Sequence, residues 1–238
     1  MSAPLNFQAL FELDINPGGT ANYVRLGDGL ASSQPNNNEK VDKKSYLDDN
    51  GGNTSEVTGF DYVVSFSGDR IAGNSAQDWI FSKLFAVGAS RHTNYRSTGP
   101  DGMVISGPCT VVITGVPGGE AGSAQAISFD LCMNGKPTKV DPVAATALTT
   151  TIAASLVTIG CTKATGAPGS GNHLGYKLTT AALVVKDRQY ADDYVAYTSG
   201  ADIAATAGQF LNVYELDAYE HVVKFVAQEL AAGDIKAA

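Results

Sequence analysis

The chain has 238 residues, 44% of them hydrophobic and 17% charged, and a formal charge of −8. That length holds one large β domain or two domains of ordinary size, each with its own core. The acidic balance, −4 on each side of residue 140, excludes a module that grips nucleic-acid phosphates, because such a grip is built from clustered Lys and Arg.

No apolar run approaches the ~20 residues of a membrane helix, and the N-terminus lacks the basic-then-apolar pattern of a secretory signal. Folding in a cytoplasm, with no membrane partner, is the expectation. Cys109, Cys132 and Cys161 show no CxxC spacing, so neither a disulfide framework nor a zinc site is signalled and the thiols read as small hydrophobes.

In chain order, "FQALFELDI" sets Phe11, Leu13 and Ile15 on one strand face and Leu10, Glu12 and Asp14 on the other. Pro17-Gly18-Gly19 then makes a turn. A second strand is expected in "NYVRLGDGL", and the polar run from Ser32 to Val57 reads as a long loop. "DYVVSFSG" alternates, with Tyr62, Val64 and Phe66 on one face. Ser75 and Asp78 have the form of a capping box. Trp79, Ile80, Leu84 and Phe85 follow at helical spacing, predicting a helix of about three turns that packs this face on a β core.

"GMVISGPCTVVITG" and "AISFDLCMNG" continue as strands, the latter with Ile127, Phe129, Leu131 and Met133 on one side. Strands with one inserted helix imply a sandwich or barrel that the helix flanks. A boundary is expected at "NGKPTKVDPVAATA", giving units 1–140 and 141–238. The second unit reads as β-rich, with a strand in Thr150–Ile159, a Gly-rich loop "TGAPGSGNHLG", and a hairpin of "FLNVYELD" and "HVVKFVA" around Ala218-Tyr219-Glu220.

Tests for chemistry are negative. An EF-hand register from Asp48 fails, since its fifth and twelfth positions are Gly52 and Gly59. "GSGNHLG" has its last glycine one residue too late for a dinucleotide fingerprint. No phosphate loop, nucleophile elbow or HExxH helix occurs. His92, His173 and His221 are widely spaced, and Asp192-Asp193 reads as a solvated pair. No catalytic residue, cofactor or metal is expected; the leaning is to a structural or binding role.

The segment "KVDKKSYLDDNGGNTSEVTGFDYVVSFSGDRIAGNSAQDWIF" carries an ordered series: Lys44 with Tyr46-Leu47, Ser55–Gly59, Gly68–Arg70, then Ala76–Phe81. With "GASRHTNYR", "DGMVISGPCTVVITG" and "GGEAGSAQAISFDLCMNGKP" it resembles, over about the first 137 residues, the major tail tube proteins of long-tailed, siphovirus-type bacteriophages. Asn74 stands where that pattern has an acidic residue, and Asn caps a helix about as well.

The resemblance implies a mainly β tail-tube sandwich or barrel with one flanking α-helix, to which a small C-terminal β-rich decoration domain is added. It further implies homohexameric rings that stack into a tube in the virion tail, assembled in the host cytoplasm. The tube encloses the tape-measure protein, meets tail terminator and baseplate proteins, and conducts DNA through its lumen without specific binding. The loop from Ser32 to Val57 becomes the ring-stacking contact, with Asp42, Lys43, Lys44, Tyr46, Leu47 and Asp48 as candidates. The C-terminal domain is expected to meet a host-surface glycan. The alternatives are the tube of a tailocin or contractile injection system, and a head decoration or adhesin protein. A wall hydrolase needs a carboxylate pair that no spacing here points to.

Overall fold

The computed structural model describes residues 5–46 and 52–237, and among them lie eighteen β-strands and one α-helix. The fold is mainly β. Its residues divide into two compact units, one drawn from Leu10–Ser97 and Val104–Lys139, the other from residues 5–9, 98–103 and 140–237.

The first unit contains β1 (Leu10–Asp14), β2 (Tyr23–Arg25), β3 (Leu30–Asn36), β4 (Lys40–Lys44), β5 (Thr54–Gly59), β6 (Val63–Asp69), α1 (Ser75–Ser82), β7 (His92–Thr98), β8 (Val104–Gly118), β9 (Ala126–Met133) and β10 (Thr138–Val140). Eight of these strands form one sheet in the order β2-β1-β7-β8-β9-β6-β3, with β10 on β8. Its two ends, β2 and β3, are consecutive in sequence, and only Leu26–Gly29 joins them. Five residue steps reach at most about 18 Å, whereas the edges of a flat seven-strand path lie roughly 29 Å apart. The sheet must therefore curl, and the barrel-like closure follows from the connection itself.

Alternation sets the inner face. Val64 and Phe66 of β6, Tyr95 of β7, Val111 of β8 and Ile127, Phe129 and Leu131 of β9 are buried in one cluster. At its centre Phe66 stacks on Phe129 at 5.3 Å and meets Phe11 edge-on at 5.5 Å. Burial pushes the Cys109 thiol in this core up to about 12, so it behaves as an inert apolar group.

The curl brings backbones close where β6 leaves the sheet. Gly29 has φ 74°, and its carbonyl accepts the Asp69 amide at 2.8 Å. A Cβ on Gly68 would lie 2.6 Å from Leu30 Cα and overlap the Gly29 carbonyl. Gly68→Ala is expected to cost about 1–3 kcal/mol, read as a lower urea midpoint at unchanged slope.

Asp14, on the strand face of Leu10 and Glu12, is 1% exposed. Its carboxylate accepts the amides of Asn16 and Asn22 at 3.0 and 2.9 Å and the Asn94 side chain at 3.1 Å. Burial pushes its pKa up, and these bonds together outweigh it and hold the carboxyl below its usual value. Asp14 thus closes the turn of Pro17-Gly18-Gly19 rather than facing water.

The helix is shorter than expected, eight residues, with Asn74 rather than Ser75 as its cap, accepting the Gln77 amide at 3.0 Å. Gln77, fully buried, ties α1 back to the strand ends by bonds to Asp28 O (2.7 Å) and Ile71 N (2.8 Å).

The second unit contains β11 (Thr146–Ala147), β12 (Thr151–Ala154), β13 (Cys161–Thr165), β14 (His173–Thr179), β15 (Val195–Tyr197), β16 (Ile203–Ala204), β17 (Phe210–Leu216) and β18 (Val222–Glu229). A five-stranded sheet, β11-β18-β17-β14-β15, and a three-stranded sheet, β12-β13-β16, share one apolar cluster. Ala164 and Ile203 enter it from the smaller sheet, Leu174, Leu211 and Val213 from the larger. This is a β-sandwich.

The β17–β18 hairpin is present as expected, with Glu220 in its turn at φ 66°. The Thr150–Ile159 strand is not continuous. It stops at Ala154 because the Ser155 hydroxyl accepts the amides of Val157 and Thr158 at 3.1 and 2.9 Å, turning the chain. Leu156 and Val157 are left exposed.

Candidate assembly site

The run from Ser32 to Val57, expected as a loop, is largely strand. β3 pairs with β6 from Leu30 to Asn36. Beyond it the chain passes a joint of three asparagines into a separate two-stranded ribbon, β4 with β5. At the joint the Asn37 carbonyl accepts the Asp61 amide (3.1 Å) and the Asn38 side chain donates to the Asp61 carbonyl (3.0 Å). Asn38 sits at φ 43°, a left-handed conformation that Asn tolerates well.

Every residue of β4 is exposed, and so is β5 up to Thr58. With neither face covered, no apolar alternation marks the ribbon in sequence. A lone two-stranded ribbon is marginal in water, and its open edges invite another chain. Register places Val41 opposite Val57 and Lys43 opposite Ser55 on one face, with Asp42 opposite Glu56 and Lys44 opposite Thr54 on the other. Val41 and Val57 are 49% and 56% exposed, so one face presents an apolar pair.

The contact candidates of the sequence fall on this ribbon. Asp42 and Lys44 share the polar face, joined by an ion pair of 3.4 Å; between half-exposed groups such a pair contributes little. Lys43 shares the face of Val41, and Tyr46 follows β4 at 57% exposure. Leu47 and Asp48 lie outside the described residues. The sequence reading passed over Val41 and Val57, whose only signal was an apolar residue at the middle of each polar run.

Of the helix face, Ile80 is buried, and Trp79 packs half-buried on the core with the Lys83 ammonium 4.9 Å from its ring centre. Leu84 is partly buried. Phe85 is 93% exposed: α1 ends at Ser82, so a residue three positions later no longer follows the helical repeat toward the core.

The sheet face opposite the core carries several small hydroxyl side chains beside Val112 and Asp130. Ser32 bonds Ser67 at 2.8 Å, Thr114 bonds Ser128 at 2.9 Å, and Thr110 bonds Asn134 at 2.9 Å. Arg96 on the same face is held bidentate by Glu12 at 2.6 and 2.9 Å and lies over the Tyr23 ring. Its charge is thereby neutralised locally.

In the second unit His173 Nε2 lies 3.0 Å from Glu220 and 3.2 Å from the Tyr194 hydroxyl, which itself donates to Glu220. This cluster ties the β17–β18 turn to β14. His221 is buried and His92 exposed. The adjacent aspartates diverge, Asp192 accepting from the Gln8 side chain at 3.0 Å and Asp193 from Lys177. Among the described residues, no helix is long and apolar enough to cross a membrane.

A family model described as the S-layer protein SbsC C-terminal domain matches residues 157–233. No curated protein matches the chain. Among solved structures, the chain is similar to domains 7, 8 and 9 of the S-layer protein SbsC, at 22% identity and TM-score 0.37 over 57% of this chain; the match spans 38% of that structure's length. It is similar to the tail of an empty gene transfer agent particle refined with C6 symmetry, at 14% identity and TM-score 0.47 over 58% of this chain and 99% of that one. It is also similar to the virion of the native gene transfer agent particle, at 17% identity and TM-score 0.45 over 58% and 99%.

Proposed function

We propose that the chain is a structural virion protein, the repeating subunit of a phage tail tube of the siphovirus type. Hexameric rings stack into a conduit that holds the tape-measure protein, abuts terminator and baseplate proteins, and later passes DNA. The observation that carries this reading is the exposed β4–β5 ribbon at the sheet edge, a structure that gains its stability by lying against another copy.

The hydroxyl-bearing sheet face suits the lumen in this reading. Its Ser and Thr groups carry no charge and Arg96 is neutralised by Glu12, so phosphates slide rather than stick. The unit of Leu10–Ser97 and Val104–Lys139 forms the tube, and the unit built mainly of residues 140–237 is an outer module that meets a host-surface glycan. The S-layer domain match to residues 157–233 supports an outward-facing role for that module. We read the chain as non-catalytic, without cofactor or metal.

A second reading, a head decoration or adhesin protein, draws on that same S-layer match. Negative-stain electron microscopy of the purified protein at rising concentration, with mass by light scattering, separates the two. Six-fold rings or hollow tubes are expected. A monomer or trimer at every concentration would move the decoration reading to the front.

A further inference from the structure

A cleft of about 190 Å³ opens in the C-terminal unit, between the segment 183–193 and strands β14 and β17. Its base holds Tyr214, only 5% exposed. Burial, with the carboxylate of Asp193 adding to it, pushes this phenol up to about 12. It therefore stays protonated near neutrality, a donor and acceptor facing the cleft.

The rest of the lining is amphipathic. Lys177 and Asp193 neutralise each other at the rim, and Gln189 adds an amide. Val184, 83% exposed, supplies an apolar wall beside Tyr190. The Tyr190 ring is fixed edge-to-face between Phe7 at 6.4 Å and His221 at 5.7 Å. Further bracing comes from the Pro100 carbonyl, which accepts the Tyr190 amide at 2.9 Å. The Tyr190 side of the wall is thus held in place before any ligand arrives, which lowers the ordering cost of binding.

Drug-sized ligands occupy pockets of roughly 300–1,000 Å³, so this cleft takes one small ring. With its charges paired, a charged ligand gains little. A neutral ring bearing several hydroxyls and one apolar substituent matches donor, acceptor and wall together.

We propose that this cleft binds a single neutral N-acetylated pyranose, hydroxyls toward Tyr214, Asp193 and Gln189 and the acetyl methyl on Val184. The proposal rests on the reading of the C-terminal unit as glycan-facing. Saturation-transfer NMR and titration calorimetry on the full chain test it, with N-acetylglucosamine as probe and glucose for comparison, alongside retention of the chain on purified cell-wall glycan.

Expected are binding of N-acetylglucosamine in preference to glucose and about a tenfold loss in Tyr214→Phe, the effect of one buried hydrogen bond. Val184→Asp, at an exposed position that leaves the fold intact, should lose the acetyl preference. Retention on the glycan that neither variant changes overturns the cleft and leaves the glycan reading standing. Absence of both N-acetylglucosamine binding and glycan retention overturns the two together. Binding weakened by Tyr214→Phe in a protein that forms no tubes supports the cleft and counts only against the tube.

Discussion

In the proposed tube assembly, replacing Val41 and Val57 together by glutamate is expected to yield a folded, soluble protein that no longer grows tubes. Both valines are about half exposed and face each other across the ribbon. The isolated subunit loses the Val41–Val57 cross-strand contact and gains a like-charge pair, a cost of about 1 kcal/mol confined to the ribbon. In the proposed assembly, docking against a neighbouring subunit buries the pair's remaining surface. Full burial of a valine is worth about 1.5–3 kcal/mol, so two half-exposed ones contribute on the order of 2 kcal/mol per ribbon. Glutamates at the same contact must shed water without a partner, which costs several kcal/mol. With six ribbons in each proposed ring, the loss multiplies to on the order of 10 kcal/mol or more per stacking step.

The opposite face of the ribbon provides the control. Asp42→Ala with Lys44→Ala removes a half-exposed ion pair and is expected to cost only about 0.2–1 kcal/mol, so tubes persist at somewhat higher protein concentration. Tube length by electron microscopy and mass by light scattering, at matched concentrations, read both variants. Tubes of ordinary length from the double glutamate variant would show that subunits meet through some other surface.

What the sequence made legible and what it did not divide along a physical line. Strands buried on one face declare themselves, since a period of two is imposed by the core: Ile127, Phe129, Leu131 and Met133 are read correctly because all four point into one cluster. The β4–β5 ribbon has no core, so it reads as a polar loop although its two strands pair with each other. Phe85 was misread for a related reason. Periodicity carries no stop signal of its own, and the helix ends three residues earlier. Acidic residues at the ends of strands look solvated, and Asp14 is buried because backbone amides arriving from its own turn supply the solvation water would have given. The cleft was not legible at all, since Lys177, Gln189 and Tyr214 converge only through the pairing of β14 with β17 and the course of the segment between.

A buried acid also governs the stability of the C-terminal unit, where Lys224→Met is expected to cost about 3 kcal/mol. Glu215 on β17 is 0% exposed. Its carboxylate accepts the Gly169 amide at 2.8 Å, the Asn172 side chain at 2.7 Å and the Lys224 ammonium at 2.9 Å. The Gly-rich loop before β14 is thereby fastened to the sheet by one side chain. Burial alone would raise the Glu215 pKa; the bonds from Lys224, Asn172 and Gly169 outweigh it and hold the carboxyl below its ordinary value.

The folded pKa is therefore depressed relative to the unfolded one. The stabilisation is fully present above the unfolded value, about 4.3, and is lost as pH falls through the folded value, because the unfolded chain binds the proton first. Removing the ammonium lets burial dominate, so in Lys224→Met the folded value should rise above the unfolded one and the slope should change sign. The urea midpoint of this variant is then expected to increase between pH 7 and pH 5, relative to the parent. Adding Glu215→Gln to it should flatten that dependence and recover part of the loss, since a neutral amide keeps a carbonyl for Gly169. If the midpoint of Lys224→Met instead tracks the parent across the same range, the loop amides alone hold the charge and Lys224 contributes no more than an exposed ion pair.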